Sequence, residues 1–328
     1  MPMKTKVNKS YAILSFAIKV TIAILSVWFL YRQIFIKNDI ASVKHAFTNI
    51  FNNSETIILL LGVIVLMFFN WGLEALKWKY LVKKMEYISL LKSLQAVFSG
   101  VTIGLFTPNR IGEYGGRVFY LEKNNRLKGV LITIVGNFSQ LIITLVLGAI
   151  SLHLFFFYYS HLQSYINFHT LLFAEIIVIF LSLLLLALFF NLSSLSRFSK
   201  KFISNKYAAV FSYYNRNELL KVFLLSFARY LIFSLQFFIL LKAGGIHLIW
   251  NDALTLIPLI FLAISAIPSF ALTEIGVRGS AALFFIGLVS DKQVEIITAA
   301  FLLWLINISL PALIGLTGIL KVRLFTTQ

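Results

Sequence analysis

The chain has 328 residues, of which 59% are hydrophobic and 12% charged, with a formal net charge of +17 and no cysteine. That balance excludes a soluble globular protein, and the missing thiols exclude disulfides, thiolate metal sites and a cysteine nucleophile. The Lys and Arg residues lie between apolar stretches and at both ends, as in cytoplasmic loops facing anionic headgroups, so no nucleic-acid partner is expected.

The apolar runs are continuous rather than alternating, which predicts helices and excludes a barrel. After a basic start, Tyr11–Tyr31 reads as a retained first helix, with Lys19 snorkelling or facing the bundle. The second segment is Thr56–Leu76, with Trp71 and Trp78 as interface anchors and Lys77, Lys79, Lys83 and Lys84 marking the cytoplasm. The third, Ile88–Phe106, runs into a charged motif and then the basic loop Glu122–Lys128. The fourth is Val130–Phe157, followed by a connection without Lys or Arg that belongs outside. The fifth, Leu171–Phe190, leads to a basic loop holding Arg197, Lys200, Lys201, Lys206 and Arg216. Then come Leu219–Leu241, an apolar run Ala253–Ile267, a second charged motif, a short run Ala281–Val289 and a last helix Ile296–Leu320 closed by Lys321 and Arg323.

The loop charges assign sides. Basic loops flank Ile88–Arg117, making it a re-entrant hairpin from inside, and Ala253–Val289 becomes a re-entrant hairpin from outside. The expected fold is an all-α polytopic membrane protein with about six spanning helices plus two re-entrant hairpins, or eight spans, in an inverted-repeat arrangement. It is one membrane domain over 1–328, with repeat halves 1–190 and 219–328 joined by the basic loop 191–218. Both termini are expected in the cytoplasm, and no soluble domain is expected before or after the helices.

The two motifs are copies of one pattern. Leu105–Arg117 reads L-F-T-P-N-R-I-G-E-Y-G-G-R, and Ala266–Gly279 reads A-I-P-S-F-A-L-T-E-I-G-V-R-G. Glu113, Gly115 and Arg117 match Glu274, Gly276 and Arg278. Ionisable residues among apolar segments are costly and mark a substrate path or binding site. In the first copy, Pro108 starts or breaks a helix, and Gly112, Gly115 and Gly116 permit close backbone approach or positive φ. On a helix after Pro108, Glu113 and Arg117 pair at i,i+4, with Arg110 on much the same face. An arginine fork suits a phosphate, because it makes two parallel charge-assisted bonds. In the second copy, Glu274 and Arg278 follow Pro268, and Thr273 is a candidate cap. The alternative for both motifs is a buried ion pair that only holds its hairpin.

Other polar residues inside the apolar segments divide into two groups. Arg229, with Gln236 two turns later, either lines a path or bonds a neighbouring helix. Asn137 and Gln140 read as helix–helix glue, and Asn307 with Pro311 and Gly315 as a kinked, closely packed last helix. Glu74 pairs with its neighbour Lys77 or Trp78 near the inner surface, and Glu175 sits at the outer interface. His153, His161 and His169 fit no zinc spacing. No nucleotide-binding or hydrolase motif is present, so no cofactor or metal is expected.

The runs Thr107–Arg117 and Pro268–Arg278, Arg229 with Gln236, and the closing N-I-S-L-P-A-L-I-G from Asn307 to Gly315 resemble the flippase-type transmembrane domain of lysylphosphatidylglycerol synthases. The resemblance covers nearly the whole chain. It implies movement of an aminoacylated phosphatidylglycerol between leaflets. Two-part members of that family add a soluble synthase that transfers lysine from lysyl-tRNA. This sequence reads as a stand-alone membrane region without that part, so lysyl transfer is not expected.

The expected function is a flippase-like transporter of an anionic or aminoacylated phospholipid in the bacterial inner membrane. Arg110, Arg117 and Arg278 would hold the lipid phosphate, Arg229 would be a further substrate-binding residue, and Glu113 and Glu274 would orient the arginines or accept a cationic headgroup. Expected partners are a membrane phospholipid, a second copy of the chain and a separate lipid-modifying enzyme. Two alternatives stand beside this reading: a membrane subunit of a lipid-modifying enzyme, with the glutamates as acid and base, and a secondary transporter of a small anion.

Overall fold

A computed structural model of the protein describes residues 53–159, 168–193, 207, 209–268 and 271–321. The expected first helix Tyr11–Tyr31 with Lys19, and His161, Arg197, Lys200, Lys201, Lys206 and Arg323, lie outside the described residues. The described chain is helical: α1 Ser54–Val82, α2 Leu90–Leu105, α3 Gly112–Val118, α4 Arg126–Tyr158, α5 Phe168–Phe190, α6 Arg216–Ala243, α7 Trp250–Ala266, α8 Ala271–Ile286, α9 Gln293–Trp304 and α10 Leu310–Lys321. Among the described residues, five stretches are long and apolar enough to cross a membrane: Ser54–Val82, Lys123–Tyr158, Leu172–Phe190, Arg216–Ala243 and Gln293–Gly318. The protein is therefore a multi-pass membrane protein. α5 turns Phe173, Ile176, Phe180 and Leu183 outward, where lipid replaces a protein core.

Three helices start where a side chain supplies a missing acceptor. Asn53 caps α1 by accepting from the Glu55 N–H, and Ser89 caps α2 by accepting from the Lys92 N–H. Asn215 and Glu218 form a reciprocal capping box at the start of α6.

α1 and α6 form an antiparallel central pair. Lys84 Nζ lies 2.6 Å from Glu218, the Tyr214 hydroxyl donates to the Leu81 carbonyl at 2.5 Å, and Lys77 Nζ donates to Ser226 Oγ at 3.2 Å. Farther along, Gln236 Nε2 donates to the Val63 carbonyl at 2.9 Å. Gln236 is thus a bond between the two helices. Tyr214, outside the spans, has its phenol pushed up by burial first and by Glu218 second, so it stays a donor.

The two hairpins enter from opposite ends of this pair. α2 and α3 begin and end beside Glu86, whose carboxylate accepts from the Glu122 N–H at 3.0 Å and from Asn125 Nδ2 at 3.3 Å, and lies 3.6 Å from Lys92 Nζ. This is the end where α1 finishes and α6 starts. α7 begins, and α8 finishes, at the other end of α6, where Lys292 Nζ donates to the Gly245 carbonyl at 2.9 Å. Gly245 turns the chain there with φ +74°, a left-handed conformation that side-chain-bearing residues avoid. At 16 and 17 residues, α2 and α7 rise about 24–26 Å, short of a hydrocarbon core of ~30 Å.

The last span is not one regular helix. A π-helical turn, Leu305–Ser309, joins α9 to α10. Pro311 has no N–H to give the carbonyl of Asn307 four residues back, and Trp71 Nε1 donates to that carbonyl instead, at 3.1 Å. Trp71 and Trp78 are therefore not interface anchors. Both are buried, and Trp78 Nε1 donates to Thr133 Oγ1 at 3.1 Å. Lys77 does not mark the cytoplasm either: it is 1% exposed and donates to the Gly136 carbonyl at 3.2 Å.

Candidate functional site

The site begins with a stripe on α1. Asn70, Glu74 and Lys77 are spaced i, i+4, i+7, which places them on one face of the helix. Glu74 is fully buried and takes three cations. Arg117 Nη1 donates to its Oε1 at 2.7 Å, Arg229 Nη1 donates to its Oε2 at 2.8 Å, and Lys77 Nζ lies 2.8 Å from Oε2. A carboxylate held away from water persists only when its lone pairs are occupied in this way. Asn70 extends the network, accepting from Arg229 Nε at 3.0 Å and donating to Asn307 Oδ1 at 3.0 Å. The Arg229 guanidinium also stacks over the Trp71 ring, 4.8 Å from its centre.

The first hairpin delivers Arg117 to this network. α3 packs on α2 so closely that a Cβ on Gly116 would lie 2.6 Å from Gly100 Cα. Arg117 forks between two carboxylates, since its Nη2 donates to Glu113 at 2.5 Å while Nη1 holds Glu74. Gly112 starts α3 by donating its N–H to Thr107 Oγ1 at 2.7 Å. Of the three glycines in this motif, none has a positive φ, and Gly115 faces open space.

The tip of this hairpin differs from the expected continuous helix. Pro108–Arg110 is a 3₁₀ turn, and Asn109 and Arg110 both adopt left-handed backbone, with φ 49° and 57°. Successive non-glycine residues in that region are strained and are held there by their surroundings. Arg110 is therefore not on a shared helical face with Glu113. Its Nε and Nη2 are buried without a hydrogen-bond partner among the described residues. It interacts electrostatically with both Glu113 and Glu274, one from each motif.

In the second hairpin, Arg278 donates to Glu274 Oε1 through Nε at 3.0 Å and Nη2 at 2.6 Å, the i,i+4 pair expected on a helix. Its guanidinium lies 5.8 Å from the Phe233 ring centre. Gly276 is buried within α8, and Pro268 is exposed just before it.

The two motifs meet. One cavity of about 340 Å³ is lined by Arg110 and Glu113 from the first hairpin, Arg278 from the second, and Arg229 of α6. Arg229 is the fourteenth of the 28 residues of α6, so the cavity lies near the middle of the helix pair. The cavity and its supporting network hold five cations, Lys77, Arg110, Arg117, Arg229 and Arg278, against three carboxylates, Glu74, Glu113 and Glu274. Among the described residues that leaves an excess of two positive charges. Arg117 is behind the wall, sealed by its two carboxylates, and does not line the cavity.

The rest of the wall was not expected as site. Asn137, Gln140 and Thr144 of α4 line the cavity rather than tie helices together, and Gln140 Oε1 is buried without a partner among the described residues. Tyr230 Oη has the same status. Glu74 pairs with Lys77 as expected, but as the centre of a larger network, and Asn70 was missed altogether. The signal for both was the Asn70–Glu74–Lys77 stripe in an otherwise apolar helix. Glu175 Oε1 lies within hydrogen-bond distance of His153 Nδ1, at 3.1 Å, farther along α4 than the cavity residues.

Comparison with curated proteins and with solved structures gives no match. The family described as Lysylphosphatidylglycerol synthase TM region matches residues 16–320, a range that contains both hairpins and every cavity residue. By that match over nearly its whole length, the chain belongs to the lysylphosphatidylglycerol synthase TM region family.

Proposed function

We propose that the protein is a flippase-like transporter that moves a phospholipid between membrane leaflets through the cavity between its hairpins. The observation that carries this reading is Arg110, a cation with two buried, unpartnered nitrogens in a cavity with an excess of two positive charges. Such a wall attracts the phosphate of a lipid, which an arginine binds with parallel charge-assisted bonds. Arg229 and Arg278 complete the phosphate wall, while Glu74, Glu113 and Glu274 hold the arginines in place. The volume is at the lower end of ligand pockets, ~300–1,000 Å³, so it suits a headgroup and leaves the acyl chains outside. Phe106 and Ile111, exposed on either side of the tip, give those chains an apolar surface.

An inverted repeat supports alternating access. The packing pattern favours it: α2 rests on α10 as α7 rests on α4, and α3 touches α4 as α8 touches α9. The bonds agree, since Thr102 of α2 donates to the Ala312 carbonyl of α10 at 2.7 Å and Ser151 of α4 donates to the Thr255 carbonyl of α7. On this pairing α1 corresponds to α6, and α5 opens the second half rather than closing the first. The basic end, with Lys83, Lys84, Lys92 and Lys123, faces the cytoplasm of a bacterial inner membrane on the loop-charge rule.

Leaflet exchange of labelled anionic phospholipid in proteoliposomes tests the reading. Exchange above protein-free vesicles supports it, and exchange at the protein-free rate from folded protein contradicts it.

A further inference from the structure

We infer that the ligand of this cavity is an anionic phosphodiester lipid with an uncharged, hydroxyl-bearing headgroup, such as glycerol or a sugar, and not a cationic aminoacyl headgroup. The inference rests on the lipid reading above and narrows it. Its basis is the two kinds of polar group in the cavity lining. Three are cations, Arg110, Arg229 and Arg278. Others are neutral, among them the amides of Asn137 and Gln140 and the hydroxyls of Thr144 and Tyr230.

The unfilled hydrogen-bonding positions include groups of both kinds. Arg110 Nε and Nη2 are donors without an acceptor, which a phosphate oxygen supplies. Gln140 Oε1 is an acceptor without a donor, and Tyr230 Oη is unpartnered as well, among the described residues. A hydroxyl donates to the amide oxygen and accepts from the phenol, so a hydroxylated headgroup satisfies both. Buried polar groups left unpaired are costly, which makes such a lining selective against a ligand that lacks the hydroxyl.

A cationic headgroup meets the opposite conditions. The carboxylate in the lining, Glu113, is held by Arg117 at 2.5 Å, and Glu274 and Glu74 are occupied by Arg278 and by three cations. Each of these carboxylates already carries the charge of at least one arginine, so none is left as a net negative charge for an ammonium. A glycerol phosphodiester carries one negative charge and reduces the excess of two. A lysyl ester of the same lipid carries one phosphate and two ammonium groups, and raises it.

The test is binding of short-chain probes to the purified protein in detergent, where no leaflets exist. The probes are dioctanoyl forms of phosphatidylglycerol, lysylphosphatidylglycerol and phosphatidic acid, with sn-glycerol 3-phosphate as the soluble source of the same chemistry. The expected order places phosphatidylglycerol about tenfold or more tighter than the lysyl form, and tighter than phosphatidic acid. Gln140→Leu, and the more conservative Tyr230→Phe, narrow the gap between phosphatidylglycerol and phosphatidic acid. Equal or tighter binding of the lysyl form overturns the inference, as does a gap unmoved in both variants. Equally tight binding of sn-glycerol 3-phosphate overturns the assignment to a lipid. The expected binding order without leaflet exchange sinks the transport reading and leaves the headgroup assignment standing. Exchange that favours the lysyl form does the reverse.

Discussion

Arg117, on the returning arm of the first hairpin, donates to Glu74 of α1 at 2.7 Å, and the two side chains are 2% and 0% exposed. This contact fastens the first hairpin to the central helix pair, because Glu74 also holds Arg229 of α6. Removing one partner of a buried ion pair leaves the others uncompensated, at about 3–5 kcal/mol. Glu74→Gln leaves Lys77 and Arg229 without a carboxylate and Arg117 with Glu113 alone. It is expected to lower unfolding stability in detergent by that amount, read by tryptophan fluorescence. Glu274→Gln frees one arginine beside a cavity and is expected to cost less. Equal losses would argue against Glu74 as the centre of the network.

The hairpin arms separate two glycine substitutions of the same motif. A Cβ on Gly116 meets Gly100 Cα at 2.6 Å and the Ser99 carbonyl at 2.7 Å, whereas a Cβ on Gly115 meets nothing within 4 Å. Gly116→Ala is expected to destabilise by about 1–3 kcal/mol, the range for overpacking. Gly115→Ala is expected to be near neutral, and the difference in thermal midpoint between the two variants checks it.

Trp71 replaces a donor that Pro311 lacks. Trp71→Phe leaves the Asn307 carbonyl without the indole N–H, at about 1–3 kcal/mol for a buried unsatisfied group. Pro311→Ala offers a backbone N–H at the right spacing. The double variant is therefore expected to lose less stability than the two single losses added together, measured as a double-mutant cycle.

Much of this arrangement was legible because charge in an apolar segment has few explanations. Glu113, Arg117, Glu274 and Arg278 stood out in this way, and each pairs within its motif at i,i+4. The five described spans were legible from length and continuous hydropathy. Lys77 misled because it sits in a run of lysines whose other members, such as Lys83 and Lys84, are exposed; only tertiary packing carries α1 on to Val82 with that side chain inside. Trp71 and Trp78 misled for a related reason. Each has a polar tip that suits an interface, yet each finds an internal acceptor that depends on another helix. The left-handed tip was only half legible: Asn109 after Pro108 suits a left-handed turn, but nothing marked Arg110, whose conformation comes from the packed arms around it.

Arg110 tests the central claim most directly, because its orphaned nitrogens make no bond that the fold needs. The measurement is leaflet exchange of labelled phosphatidylglycerol in proteoliposomes, comparing the unaltered protein with Arg110→Gln, with thermal unfolding of both recorded alongside. The account predicts that Arg110→Gln unfolds at nearly the same temperature and loses at least about tenfold in exchange rate, as loss of one charge-assisted phosphate contact implies. Undiminished exchange by a folded Arg110→Gln protein would contradict it.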